Sequence, residues 1–110
     1  MRAATVRSFA LSLPEAEERE TWGHPTFRVR GKMFASCGAE GESATFKAPL
    51  SEQAELIASD PDVYGVPAYV GKHGWVQVRL SAISADALRE HLIDAWRRTA
   101  PKRLVASSGL

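Results

Sequence analysis

The sequence predicts an α+β fold, a two-layer sandwich in which an antiparallel sheet is covered on one face by the N- and C-terminal helices. Two observations carry this prediction. Apolar residues recur at helical spacing near both ends of the chain, whereas they alternate with polar residues between Thr26 and Ala48. Short glycine-containing turns join the alternating segments, and turns of this length connect antiparallel strands.

The first third of the chain contains a predicted helix and an acidic stretch. Val6, Phe9, Ala10 and Leu13 share one face of a helix over residues 3–13, which Pro14 ends. Residues 15–20 are rich in glutamate, and we interpret them as a solvated loop rather than a cation site, since nothing in their spacing makes the carboxylates converge.

From Thr26 the apolar period is two, which predicts three strands. Phe27 and Val29 form the apolar face of the first strand, and Arg30-Gly31-Lys32 is a predicted hairpin turn. On the second strand, alternation places Met33, Ala35 and Cys37 on one face and Phe34 and Ser36 on the other. The third strand covers residues 44–48 and ends before Pro49.

The second half predicts a short helix, a hairpin and a long helix. Ser51 is the predicted N-cap of the short helix. Residues 66–70 form a predicted edge strand because they contain Pro67, and the turn 71–74 leads to a strand over residues 75–80. The last helix begins after the N-cap Ser84 and ends at Pro101. We expect one domain, 1–110, with a flexible tail over residues 104–110.

Composition narrows the functional classes. Fourteen Lys and Arg against thirteen Asp and Glu give a formal charge of +1, so net charge does not indicate a polyanionic partner. Cys37, the single cysteine, cannot form an internal disulfide, which suits a reducing cytoplasm. No apolar run approaches the roughly 20 residues that a membrane-spanning helix needs. We expect a cytoplasmic monomer that does not enter the membrane.

Catalytic and metal-binding patterns are missing from the sequence. It contains no Gly-x-Ser-x-Gly, phosphate-loop or dinucleotide-binding motif, and its three histidines lack metal-ligand spacing. Cys37 is expected to be a buried, unreactive thiol, and His24 a hydrogen-bonding turn residue. We therefore expect no catalytic residue, no metal and no cofactor.

The distribution of basic residues predicts a candidate nucleic-acid surface. Strand alternation puts basic side chains and a tryptophan opposite the apolar row, and basic turn residues extend this face. Cations around an aromatic ring suit phosphate contact and base stacking, although a charged sheet face can also serve solubility alone. The candidate DNA-binding residues are Arg28, Arg30, Lys32, Lys47, Lys72, Trp75 and Arg79.

Aromatic residues predict a different class of function. Trp22, Phe34, Tyr69 and Trp75 could form a protein interface or a small-ligand site around Trp22 and Trp75, since large aromatic side chains outside a core are common anchors. They could equally pack against one another and close the sheet edge. The exposed fractions of the Phe34 and Trp75 side chains distinguish between these two interpretations.

The stretch from Trp22 to Ala35 resembles the MmcQ/YjbR family of small bacterial proteins. The segments 10–14, 60–64 and 69–76 and the final helix are similar to it in order and spacing. The resemblance implies a frataxin-like (CyaY-like) fold, also described as a double-wing DNA-binding domain, and no catalytic residues. Frataxins carry acidic residues along the first helix, whereas this helix has none before Glu15, so we expect no iron site.

Overall fold

The computed structural model describes residues 1–21, 23–38 and 40–110 and confirms the α+β class. Its strands are Ala16–Thr21 (β1), His24–Val29 (β2), Lys32–Cys37 (β3), Ser43–Phe46 (β4), Tyr64–Gly65 (β5) and Val76–Arg79 (β6). Its α-helices are Ala3–Leu11 (α1), Leu50–Ser59 (α2), Ala85–Thr99 (α3) and Lys102–Ser108 (α4). A 3₁₀-helix spans Gly71–His73.

The strands form one sheet in the order β1-β2-β3-β4-β6-β5, and each neighbouring pair is antiparallel. The first four follow chain order because short turns join them. Strand β6 then pairs with β4, and β5 becomes an edge strand. The two sheet edges are therefore β1 and β5.

The core lies between one face of the sheet and the helices. Helix α1 packs against α3, and α3 packs on β3 and β4. The indole Nε1 of Trp96 donates a hydrogen bond of 3.0 Å to the Pro14 carbonyl and so ties α3 to the end of the α1 segment. The largest fully buried apolar side chains are Trp96, Phe27, Phe34, Phe46, Leu80, Leu88, Leu92, Val6, Val29, Val76 and Val78.

A β-bulge changes which side chains of β3 face the core. Phe27 pairs with Ala35, but the next residue, Arg28, pairs with Met33, so Phe34 has no partner on β2. The extra residue shifts the alternation, and Phe34 and Ala35 are both fully buried. The prediction that Met33 shares a face with Ala35, and Phe34 the opposite face, is therefore wrong.

The acidic stretch is a strand rather than the predicted loop. Residues Ala16–Thr21 pair along their whole length with β2, and four of them are exposed at the sheet edge. Glu18 faces the helical side, where its carboxylate pairs with Arg7 of α1 at 2.6 Å. Charge on an edge strand discourages pairing with another chain, so a polar segment suits this position.

The predicted hairpin at residues 71–74 does not form. Strand β5 is Tyr64–Gly65, earlier than expected, and residues 66–75 make a long connection to β6 that includes the 3₁₀-helix. Pro67 lacks a backbone donor, so the chain leaves the sheet before it. Gly74, with φ of +101°, lets this connection approach the β4–α2 junction, where a Cβ atom would lie 2.5 Å from the Ala48 carbonyl oxygen.

The remaining predictions concern the N-caps of α3 and α2 and the C-terminal residues. The Ser84 side chain accepts a hydrogen bond of 3.1 Å from the Ala87 amide, which confirms it as the α3 N-cap. Helix α2 begins one residue before Ser51, with Pro49 in the capping position, so the predicted cap is wrong. Helix α4, Lys102–Ser108, covers part of the predicted tail, and Leu104 and Val105 pack against the core.

Along the described residues, no helix is both long and apolar enough to cross a membrane.

Candidate functional site

The sheet face opposite the helices, here called the open face, carries a row of small polar side chains. Thr26, Ser36, Thr45 and Gln77 are successive partners across β2, β3, β4 and β6. Paired residues of antiparallel strands project to the same side of a sheet, so these four side chains form a continuous polar strip. The strip is the floor of a concavity.

That concavity, the central pocket, has a volume of about 500 Å³. One wall is the 66–75 connection with Trp75, and the other is the β1–β2 end of the sheet. The wall formed by the 66–75 connection is mainly apolar, whereas the floor and the β1–β2 end are polar. The lining residues are Thr21, His24, Thr26, Arg28, Met33, Ser36, Cys37, Gly38, Ser43, Thr45, Pro67, Ala68, Tyr69, Val70, Trp75 and Gln77.

Hydrogen bonds hold Arg28 at one end of the central pocket. Its Nη1 donates to the Gly31 carbonyl at 3.2 Å and its Nη2 to Thr21 Oγ1 at 3.4 Å. Thr26 donates its hydroxyl proton to the Arg19 carbonyl at 2.6 Å, so in the 3.3 Å contact between the two threonines Thr21 is the donor. The guanidinium is therefore positioned by a chain of donors that ends on backbone.

Two polar atoms at this end are buried without a hydrogen-bond partner: Arg28 Nε and His24 Nδ1. His24 is the first residue of β2 and not a turn residue, and it pairs with Thr21 in the register. Buried nitrogens normally have hydrogen-bond partners, so these two atoms are exceptions among the described residues. Among the described lining residues there is no Asp or Glu, and Arg28 gives the pocket a positive charge.

The Trp75 wall is fixed from the other side. The amide Nε2 of Gln53, a buried residue of α2, donates to the Trp75 carbonyl at 2.7 Å and to the Gly71 carbonyl at 2.8 Å. Trp75 itself is 8% exposed, so its ring is a packed wall with limited accessible surface.

A second concavity of about 620 Å³, here called the acidic pocket, adjoins the central pocket along Gly38, Ser43 and Gln77. Arg79 lines it together with Glu40, Glu42 and Asp62. Three carboxylates and one guanidinium give this surface a negative balance, which opposes the approach of a phosphate backbone.

The structure separates the seven predicted DNA-binding residues. Arg28 and Trp75 line the central pocket, while Arg79 lines the acidic pocket. Arg30 lies in the β2–β3 turn with φ of +52°, and its guanidinium pairs with Glu15 at 2.5 Å, so strand alternation does not apply to it.

The three predicted lysines lie at the margins. Lys32 pairs with core-facing Val29 and is exposed, Lys47 follows β4 on the side of Thr45, and Lys72 is exposed in the 3₁₀-helix. None of the three has a carboxylate within 4 Å in the described part of the chain.

The predicted aromatic set is also divided. Phe34 is a core residue, Trp75 is a pocket wall, and Tyr69 is 90% exposed at the pocket rim. Trp22, the fourth member, lies outside the described residues. The predictions overlooked the polar strip itself: hydroxyl and amide residues at alternate strand positions were the available signal, and the register was needed to align them.

Within residues 1–21, 23–38 and 40–110, no group of three or more His, Cys, Asp and Glu side chains converges enough to hold a metal ion.

The fold and the central pocket define a small α+β protein whose sheet has one face covered by helices and one concave open face. The sequence model of the YjbR family matches residues 11–98, and the chain belongs to that family.

The chain is similar to a crystal structure of Deinococcus radiodurans protein DR2400, which carries a DUF419 domain. The two superpose with a TM-score of 0.74 at 22% identity, over 83% of this chain and 72% of that one. This likeness shows the fold. No curated protein matches the chain.

Proposed function

We propose that this protein is a non-catalytic binding module that holds a small organic molecule in the central pocket. The observation that carries the proposal is the pocket itself: a concave site on the open face with one apolar wall, a polar floor and one fixed cation at the opposite end. Its volume is in the range of small-molecule sites, which extends over roughly 300–1,000 Å³, and such sites combine apolar lining with a few placed polar groups. The proposal places the protein in the reducing cytoplasm, since Cys37 is a free thiol.

The distribution of charge favours this function over binding along the whole open face. Arg79 shares the acidic pocket with three carboxylates and Arg30 is paired with Glu15, so both are less favourable contacts for phosphates than an unpaired cation away from acidic residues. Arg28, by contrast, is directed into a defined cavity together with Trp75. A charged and an aromatic group at opposite ends of one pocket suit a single compact ligand.

The test is an NMR screen of the full chain against a library of small aromatic and heteroaromatic compounds. We expect binders to shift backbone amides of the polar strip. Ser36→Leu adds bulk to the pocket floor and should abolish these shifts, whereas Ser51→Leu, on the exposed side of α2, should preserve them. A library without any compound that shifts these amides, or shifts that persist in Ser36→Leu, would contradict the proposal.

Nucleic-acid binding is a second candidate function, supported by Lys32, Lys47 and Lys72, whose ammonium groups lack ion pairs within the described chain. Three phosphate contacts with single-stranded DNA would give a slope of about −2 in a plot of log K against log salt concentration. Fluorescence anisotropy with labelled single-stranded and duplex DNA at low and physiological salt measures this slope.

Charge reversal at Lys47 and Lys72 should weaken DNA binding, whereas reversal at Arg30, which is already paired, should have a smaller effect. Weak binding without a salt dependence would exclude this second function.

A further inference from the structure

We infer that the ligand of the central pocket carries an anionic group, which binds between Arg28 and His24 while an apolar planar portion lies along the Trp75 wall. This inference rests on the proposed function and specifies its ligand as an organic acid. The anion would meet the β1–β2 end of the pocket, where Thr21 links the two basic side chains.

The first argument is the arrangement of Arg28 and His24. His24 and Arg28 project from the same side of β2, and Thr21 of β1 is the partner of His24 in the register. The Arg28 Nη2 atom donates to the Thr21 hydroxyl, so the guanidinium reaches the residue that pairs with His24 in the register. This brings two nitrogen-bearing groups to one end of the cavity.

The second argument is the unused bonding capacity at that end. The Arg28 guanidinium has five N–H donors, and its two protein hydrogen bonds use one at Nη1 and one at Nη2, so each of these atoms keeps a second donor. Arg28 Nε and His24 Nδ1 also have no partner among the described residues, but both atoms are buried, so a ligand reaches them only if the side chains move. An Arg N–H can only donate, so the free donors suit a ligand that is rich in acceptors. A carboxylate or a similar oxyanion presents acceptors and gains the extra strength of a charge-assisted hydrogen bond.

The third argument is the absence of a competing anion. No carboxylate lines the central pocket among the described residues. Glu17 lies opposite Arg28 in the register, yet no ion pair joins the two side chains in the described part of the chain. In the described part of the chain, only neutral oxygens therefore bond to the Arg28 guanidinium, and an anionic ligand would neutralise its charge.

The other residues that line the central pocket indicate the chemistry of the rest of the ligand. Met33, Val70, Pro67 and Trp75 provide apolar surface, which favours a flat hydrocarbon or heteroaromatic portion. The polar strip offers hydroxyl and amide groups that can both donate and accept, so it tolerates heteroatoms on the ligand.

The experiment compares two probes that differ only in charge: 2-naphthoate and 2-naphthamide. Dissociation constants come from NMR titration of the full chain, with shifts followed at the polar strip. We expect the carboxylate to bind at least about tenfold more tightly than the amide, as a charge-assisted pair replaces a neutral one.

Two variants assign this preference to a residue. Arg28→Gln should reduce it to about twofold or less, because the charge is lost while an amide donor remains. It should leave binding of 2-naphthamide nearly unchanged, which also shows that the variant pocket is intact. Arg79→Gln is the matched control, since it removes the same charge from the acidic pocket, and it should retain the full preference.

The outcomes separate this inference from the proposed function. Equal affinities of the two probes in the wild type, with shifts at the polar strip, would overturn the anion inference and leave the binding function standing. A preference that survives in Arg28→Gln would overturn the assignment to Arg28. If neither probe nor any library compound shifts the strip, the proposed function fails together with the inference.

Discussion

The thiol of Cys37 shows how burial controls the reactivity of a single residue. The side chain is 1% exposed in the core beneath β3. Burial raises the pKa of the Cys37 thiol to about 11, a shift that the nearby positive charge of Arg7 only partly opposes. The thiolate is the reactive form, so this cysteine is inert near neutral pH.

We therefore predict that native protein resists alkylation by iodoacetamide at about pH 8, whereas urea-unfolded protein is labelled rapidly. Mass spectrometry of timed samples measures both rates. Comparable rates in the native and unfolded states would show that Cys37 is accessible and contradict its placement in the core.

His91 of α3 is a second residue whose environment controls its protonation. Its ring stacks on Phe46 with centroids 4.6 Å apart, and its Nε2 lies 2.8 Å from the Tyr64 hydroxyl. Burial lowers the pKa of His91 below its ordinary 6.5. The negative charges of Glu52, Asp94 and Glu90 oppose this shift, and the positive charge of Arg98 adds to it. The folded state therefore holds a neutral imidazole at neutral pH.

The free energy of unfolding should decrease as the pH falls into the range where an exposed histidine is protonated. Below about pH 6.5, His91 of the unfolded chain binds a proton, whereas His91 of the folded protein binds it only at a lower pH. The free energy of unfolding therefore decreases as the pH falls from about 6.5 toward the pKa of the folded state. Between about pH 7.5 and about pH 5.5, the wild type should lose more stability than His91→Gln, as measured by urea unfolding.

Carboxylates also titrate toward the lower end of this range, but they are common to both proteins and cancel in the comparison. Equal losses in the two proteins would show that His91 does not contribute. The wild type losing less stability than the variant would reverse the sign and contradict the buried neutral imidazole.

At the scale of secondary-structure elements, helix α2 determines where the Trp75 wall stands. Gln53 is the buried residue of this helix, and its single amide nitrogen serves the carbonyls of Gly71 and Trp75. The 66–75 connection is a long segment outside the sheet that joins β5 to β6. A helix side chain thus replaces the ladder hydrogen bonds that this segment does not make.

Replacement of Gln53 by Leu should lower the free energy of unfolding by about 1–3 kcal/mol, because both carbonyls lose a buried donor. Chemical denaturation measures this loss, and NMR shifts should concentrate in residues 71–75. The matched control is Glu55→Gln on the exposed side of the same helix, which should stay within about 0.5 kcal/mol of wild type. A Gln53→Leu variant as stable as this control would show that the two bonds contribute nothing.

At the scale of the whole molecule, the sheet separates the core from the open face, and the two are only the thickness of one strand apart. Val78 and Arg79 are consecutive on β6, yet Val78 is fully buried under the helices and Arg79 is exposed in the acidic pocket. Consecutive strand residues project to opposite sides, so adjacent substitutions probe the two faces independently.

Val78→Asp should unfold the protein or cost about 4 kcal/mol or more, because it buries a carboxylate without a partner. Arg79→Gln should change stability by no more than about 0.5 kcal/mol. Thermal melts monitored by circular dichroism compare the two variants. Similar melting temperatures for both would mean that the assignment of the sheet faces is reversed.

Local sequence determined most of the fold. The apolar period marked α1, α3 and the strands β2, β3, β4 and β6, since each period reflects one buried face of a regular element. Ser84 before an amphipathic segment was sufficient to locate a helix start, and the Arg30-Gly31 pair to locate a hairpin turn, because both depend on a few neighbouring residues.

Other elements depended on their partners. The acidic residues 16–20 have little strand propensity, and they become β1 because β2 offers an unpaired edge. The bulge at Phe34 exists only in the pairing of β2 with β3, so alternation along one strand could not reveal it.

The candidate site was decided by the tertiary structure. Sequence alone placed Arg28 and Trp75 on one face, but it could not show that Arg79 shares a pocket with carboxylates from two other segments or that Glu15 pairs with Arg30. The polar strip takes one residue from each of four strands. The nitrogens of Arg28 and His24 are unpartnered because no hydrogen-bonding atom of the described chain is placed to bond to them. Such features depend on distances between segments far apart in the chain, and these distances arise only when the sheet assembles and its register is set.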